Sequence, residues 1–217
     1  MQFLFSSIGK KIQIAITGIL LCFFLIFHLM NNLVLFAGRD AFNSMVGFLE
    51  SIKPAIRIME FSLLFILIVH IINGIIMTFS NKAKRKIGYN IQPGSQTSSV
   101  NSRTMILSGS IILLFLIVHL GYIWLTYQTM PTHNYFSILI QDKIGYLGNL
   151  PTAIFYIISI IFIGFHLRHG FQSALKTMGV LASSKLRFLY YISFLFWGII
   201  PLGFILIILS IQFGIIK

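Results

Sequence analysis

Of six histidines in this 217-residue sequence, five fall inside long apolar stretches: His28, His70, His119, His166 and His169. Ionisable groups in such surroundings are costly to bury and are usually kept for a function. A neutral imidazole offers a metal one lone pair and keeps one N–H for a neighbour. Four separate apolar stretches each carry a histidine, so two bis-histidine sites can be built from them. Haem iron takes two axial ligands, and imidazole suits it. Taken singly, each histidine reads as a buried hydrogen-bonding residue. Four of them on four helices at two depths argue for a cofactor. The sixth, His133, falls in a loop and reads as exposed.

Cys22 is the sole cysteine, which excludes an internal disulfide and a cysteine-held cluster. The covalent haem pattern C-x-x-C-H is absent too, so a covalent c-type haem is excluded.

The elements that must position the histidines are all apolar. The chain is 57% hydrophobic and 9% charged, with a mean hydropathy of +0.93, against about 25% charged residues in a soluble domain. A membrane span needs about 20 apolar residues. Five stretches qualify, at about 12–36, 57–80, 104–128, 151–176 and 188–215. With every backbone group to satisfy inside lipid, helices are the expected form. The fold class is therefore all-α: one domain over 1–217, an integral membrane bundle of five transmembrane helices. The 27 uncharged residues from Ile12 to Gly38 are too long for a signal-peptide core, so the first stretch reads as a retained helix. No internal repeat is strong enough to claim. Segments 37–56, 81–103 and 129–150 read as loops, with Pro54, Pro131 and Pro151 at turns or helix starts.

The net charge of +12 would suggest nucleic acid on a soluble protein; here it sets orientation. With the N-terminus in the cytoplasm, the inner side carries Lys10, Lys11, Lys82, Lys84, Arg85, Lys86, Arg103, Arg168, Lys176, Lys185 and Arg187. The outer side carries Arg39, Lys53, Arg57, Lys143, Lys217 and all four acids, Asp40, Glu50, Glu60 and Asp142. The positive-inside rule thus places the N-terminus in the cytoplasm.

Depth suggests which histidines pair. Counted to the nearest inner basic residue, His28 is 17 residues from Lys11 and His119 is 16 from Arg103, whereas His70 is 12 from Lys82 and His166 is 10 from Lys176. At ~1.5 Å per residue these are about 26, 24, 18 and 15 Å. His28 therefore pairs with His119 nearer the outside, and His70 with His166 nearer the inside. Gly74 and Gly170 each follow an inner histidine by four residues and share its face, where they would admit a flat macrocycle or let two helices pack. His169, one turn past His166, stays open as alternative ligand, propionate partner or interface residue.

Two stretches carry a family resemblance. Ser6-Ser7-Ile8-Gly9-Lys10-Lys11, Ala15-Ile16-Thr17-Gly18, Phe27-His28-Leu29 and Asn31-Asn32-Leu33 resemble the opening of the cytochrome b558 subunit of succinate dehydrogenase. The run from Phe165 through His166, Arg168, His169 and Gly170 to Ala174 resembles that family's fourth-helix signature. The similarity runs through all five spans. It implies a membrane anchor with two haem b groups on His28, His70, His119 and His166, His169 not being carried over as a ligand. It implies flavoprotein and iron–sulfur partner subunits on the cytoplasmic face. It also implies electron exchange with a membrane quinone, menaquinone by the di-haem class, in the succinate-oxidising or fumarate-reducing direction. The setting would be a bacterial cytoplasmic membrane, with lipid around the helices and no nucleic acid.

A quinone site needs a proton-exchanging group. Glu60, near the outer start of the second span, is the candidate; its plainer role is a first-turn acid on a helix dipole. Glu50 is a weaker one. Arg168 would suit a haem propionate, or simply snorkel to the interface. Two other readings use the same residues: a haem b anchor of another respiratory complex, such as nitrate reductase or formate dehydrogenase, and a histidine-containing transporter without haem.

Overall fold

A computed structural model of the chain describes residues 2–83, 105–129, 134–180 and 186–217, and all of its regular structure there is helical. Five helices are long and apolar enough to cross a membrane. After a single turn at Gln2–Phe5, α1 runs Ser7–Leu33 and continues as a 3-10 turn, Val34–Ala37. A short helix α2, Arg39–Ser51, leads into α3, Lys53–Ala83. The fourth element, α4, comprises Met105–His119, a π-turn Leu120–Trp124 and Leu125–Thr129. A short α5, Tyr135–Leu139, precedes α6, Leu150–Thr177. Helix α7 comprises Leu186–Phe194, a π-turn Leu195–Ile199 and Ile200–Gln212. His133, Pro131, Lys84, Arg85, Lys86, Arg103 and Lys185 lie outside the described residues.

The five spans match the apolar stretches, and their ends have local causes. Helix α1 starts before Lys10 because the Ser6 hydroxyl accepts from the Gly9 amide at 3.0 Å, a side-chain cap the hydropathy pattern does not show. Pro54 and Pro151 occupy first-turn positions of α3 and α6, where a lost N–H has no helical partner anyway. The π-turn in α7 has a cause in Pro201, which cannot bond the Trp197 carbonyl four residues back and crowds it. That displaced carbonyl backs onto Gly164 of α6, where a side-chain carbon would come within 3.1 Å of it.

Segment 37–56, read as a loop, is mostly helix. Gly38, at φ +91°, breaks the chain out of α1 in a conformation that favours glycine. The α2 sequence that follows is too polar to count as a span but amphipathic enough to fold on the bundle end. Phe42 packs edge-on to Phe136 of α5 at 6.2 Å, and the Asn43 side chain accepts from the Phe136 amide at 2.9 Å. Segment 134–149 is likewise not a plain loop: Tyr135, Phe136, Ile138, Leu139 and Leu147 are buried. Together these pieces cap the bundle at the end away from the N-terminus. The α7 terminus is tied to the cap, with the Gln212 amide donating to the carbonyls of Leu147 and Gly148 at 2.6 and 3.0 Å.

Gly148 sits where a β-carbon would collide with the backbone carbonyls of Ile140 and Gln141. Backbone atoms cannot rotate aside as a side chain can. Gly148→Ala should therefore lower the unfolding temperature of the purified protein in detergent by several degrees. An unchanged melting curve would show that the cap tolerates rearrangement.

In the bundle, α1 and α6 are central. Helix α3 packs on α1, α4 packs on α6, and α7 lies against both α1 and α6. The four histidine-bearing spans thus enclose a common interior.

Candidate functional site

The four histidines meet in two pairs. His28 of α1 faces His119 of α4 with ring centres 5.7 Å apart. His70 of α3 faces His166 of α6 at 6.4 Å. These are the two pairs expected from depth. Two imidazoles sharing one metal at the usual distance of about 2.0 Å have ring centres about 6 Å apart. His169 lies one turn beyond His166, half-buried, and among the described residues makes no ring contact with His70.

The vertical spacing differs from the flank count. Thr17 meets His70 at 3.1 Å, and Gln13 accepts from Asn73 at 2.8 Å, so these residues of α1 and α3 are level. Similarly, Ser108 meets His166 at 3.2 Å, and Gly170 abuts Met105. Thr17 to His28 and Ser108 to His119 are both 11 residues. The two pairs are therefore separated by about 16 Å along the helices, roughly twice the value from basic flanks. The flank count fell short because the flanks are not level. Antiparallel to α1 in this register, α3 carries Lys82 well past the level of Lys11.

That shared interval exposes an internal repeat. On α1, Thr17-Gly18 touches a histidine on the following span, and His28 comes 11 residues later. On α4, Ser108-Gly109 touches a histidine on the following span, and His119 comes 11 residues later. Eleven residues are close to three helical turns, so hydroxyl and histidine share one face. Helices α1 and α3 thus form one unit, and α4 and α6 repeat it. Conservative replacement (Thr for Ser) and a repeat of only three matching positions hide this in the sequence.

The glycines that touch the histidines were not the anticipated ones. A β-carbon on Gly18 would lie 3.2 Å from the His70 ring, and one on Gly109 would lie 3.7 Å from the His166 ring. Gly74 faces open space instead, and Gly170 faces Met105. The small residues serve the imidazoles from the opposite helix, which spacing on a histidine's own helix cannot reveal.

Around the outer pair the surroundings are aromatic. Phe24 and Phe204 lie 5.4 Å from His28, and Phe115 lies 5.5 Å from His119. The His119 Nδ1 and the nearby Tyr156 hydroxyl are buried without hydrogen-bond partners among the described residues. Asn32 donates to the His28 carbonyl at 2.7 Å, its nitrogen 3.5 Å from His28 Nδ1.

Beside this pair lies a charged cluster. Glu60 is ten residues outward of His70, about 15 Å, which brings it level with His28 and His119. Its carboxylate accepts from Arg57 Nη1 at 2.6 Å and from the Trp124 indole at 2.9 Å. Arg57 also donates to the Gln128 side chain. The π-turn that follows His119 ends at Trp124; such turns shift the helical register and recur at functional sites. A cleft of about 100 Å³ opens here, lined by Glu50, Arg57, Glu60, Tyr127, Gln128 and Tyr135 among others. Burial, together with the adjoining Glu50 carboxylate, pushes the Tyr135 phenol up to about 12, so it stays protonated as a donor. Arg168 stacks over Trp197 of α7 with its guanidinium carbon 5.0 Å from the ring centre. The structure thus gives it a partner on α7, and does not bring it to the His70/His166 pair by any contact among the described residues.

The donor set fits haem. Among the described residues no group of three or more histidine, cysteine, aspartate or glutamate side chains converges as a bare metal ion would need. What converges is imidazoles in twos, the number that a metal already held by a macrocycle requires. Comparison with known protein families, curated proteins and solved structures finds no match for this chain.

Proposed function

We propose that this chain is the di-haem cytochrome b membrane anchor of a succinate:quinone oxidoreductase, whether succinate dehydrogenase or fumarate reductase. The meeting of His28 with His119 and of His70 with His166, at separations suited to two axial ligands each, carries the reading. The motifs around His28 and His166 direct it to this family.

Each pair of histidines would hold one haem b. The haem supplies reversible one-electron exchange at its iron when bound. The chain's own part is to hold, orient and exchange protons. Apolar helices keep water from the imidazoles, and Phe24, Phe115 and Phe204 wall the outer pair. Glu60, poised in the cleft level with that pair, exchanges a proton with a quinone ring. The cleft, about 100 Å³ against roughly 300 Å³ or more for a typical ligand pocket, would take at most part of a quinone head ring, with the tail left in lipid. Basic residues concentrated at the N-terminal end support a cytoplasmic N-terminus in a bacterial inner membrane. Flavoprotein and iron–sulfur partners would dock on that face. Succinate chemistry belongs to them, since the chain has no cysteine cluster and few acids.

A dithionite-reduced minus oxidised spectrum of the purified chain, with haem quantification, tests this directly. Two b haems per chain are expected, and copurifying subunits that turn over succinate would separate this family from formate or nitrate anchors. A colourless protein, expressed with haem supplied, would sink the proposal in favour of a transporter.

A further inference from the structure

We infer that Thr17 and Ser108 are positioning residues that fix the tautomer of His70 and His166, so that Nε2 of each presents its lone pair to the metal. The inference rests on the haem reading and adds two residues that touch no iron. The Thr17 hydroxyl has one proton, and it lies 2.7 Å from the Gln13 carbonyl and 3.2 Å from that of Ile14. The Ser108 hydroxyl likewise donates its proton to the Met105 carbonyl at 3.0 Å. A hydroxyl whose proton is committed to its own helix can only accept from another group. At 3.1 and 3.2 Å, the partners are His70 Nδ1 and His166 Nδ1, which must then carry the N–H. The His70 ring also hydrogen-bonds the backbone of Ile14, whose carbonyl can only accept, so α1 offers it acceptors alone. In both imidazoles the remaining nitrogen, Nε2, is then left unprotonated.

The same device occurs twice, on α1 and on α4, each time with a glycine next to the hydroxyl lying against the same imidazole. Its presence in both units of the repeat argues against an incidental contact. The outer pair lacks it. His119 Nδ1 has no partner among the described residues, and His28 Nδ1 meets the Asn32 amide nitrogen, a donor, at 3.5 Å. The two haem sites therefore differ in how their ligands are held. An acceptor at Nδ1–H makes an imidazole a more basic ligand, which favours the ferric state. Removing it should raise the midpoint potential of the inner haem alone.

The test uses the full chain in detergent. Haem content and redox titration would be compared for wild type, Thr17→Val, Thr17→Ser, Ser108→Ala and Ser108→Thr. Two haems should remain in each, with one midpoint moved upward in Thr17→Val and Ser108→Ala and restored in Thr17→Ser and Ser108→Thr. A nitrogen-15 histidine spectrum of the reduced wild type reads the tautomer without any variant. Protons on Nδ1 of His70 and His166 are expected. Protons on Nε2 there, or unmoved midpoints with both haems bound, overturn the inference and leave the haem reading intact. Absence of haem from the wild type overturns that reading instead, while the nitrogen-15 spectrum still decides the tautomer.

Discussion

His28→Ala and His119→Ala should each remove one haem, and the same one, leaving the reduced spectrum of the other. His70→Ala and His166→Ala should remove its counterpart. Haem content would fall from two per chain to about one in every case, because one imidazole with no opposing ligand holds b-type iron poorly. The double variant His28→Ala/His119→Ala should be no worse than either single one, since both residues act as a unit and their effects do not add. A double variant that crosses the pairs, such as His28→Ala/His70→Ala, should lose both haems. The separations of 5.7 and 6.4 Å leave no ambiguity about partners. His169→Ala should keep both haems, as His169 makes no ring contact with His70 among the described residues. Losses that pair His28 with His166 would show that the helix register is wrong. Two haems retained throughout would remove the histidines as ligands.

Much of this site was legible because the membrane simplifies the sequence. Long apolar stretches can only be helices there, and a histidine inside one stands out against leucine and isoleucine. Distance from flanking charge then ordered the four histidines correctly. Its scale failed because Lys82 lies on an α3 that projects beyond Lys11, a matter of helix register rather than of composition. The hydroxyl and glycine partners of His70 and His166 were illegible for a related reason. Thr17 and Gly18 lie 53 and 52 residues from His70 in sequence, and only the packing of α3 on α1 brings them together. The caps at 39–51 and 134–149 were missed because hydropathy detects spans, while an amphipathic helix folded on the bundle end looks like a polar loop. Pro201 was a visible cue to the break in α7. The π-turn after His119 contains no proline, and nothing in its sequence that we can identify calls for it.

Glu60→Gln should abolish quinol turnover while both haems stay bound, and the reason turns on magnitudes. Glu60 already has structural employment: it accepts from Arg57 and Trp124, joining α3 to α4. If that were its whole role, the loss would be small. The pair is partly solvent-exposed, 33% for Arg57 and 24% for Glu60, and exposed ion pairs contribute only about 0–1 kcal/mol. Glutamine keeps a carbonyl for the Trp124 indole and removes only the charge and the titratable oxygen. A structural role thus predicts near-normal turnover with a slightly lower melting temperature. A proton-exchanging role predicts loss of turnover, because a general acid or base contributes about 10²–10⁴-fold to the step it serves. Haem content and spectrum would not change in either case, as no contact joins Glu60 to an imidazole among the described residues. Glu60→Asp, with a shorter arm but a titratable group, should recover part of the rate. Normal turnover in Glu60→Gln would return Glu60 to the plain role of tying Arg57 and Trp124 together, and would direct the search for the proton to Glu50, which lines the same cleft.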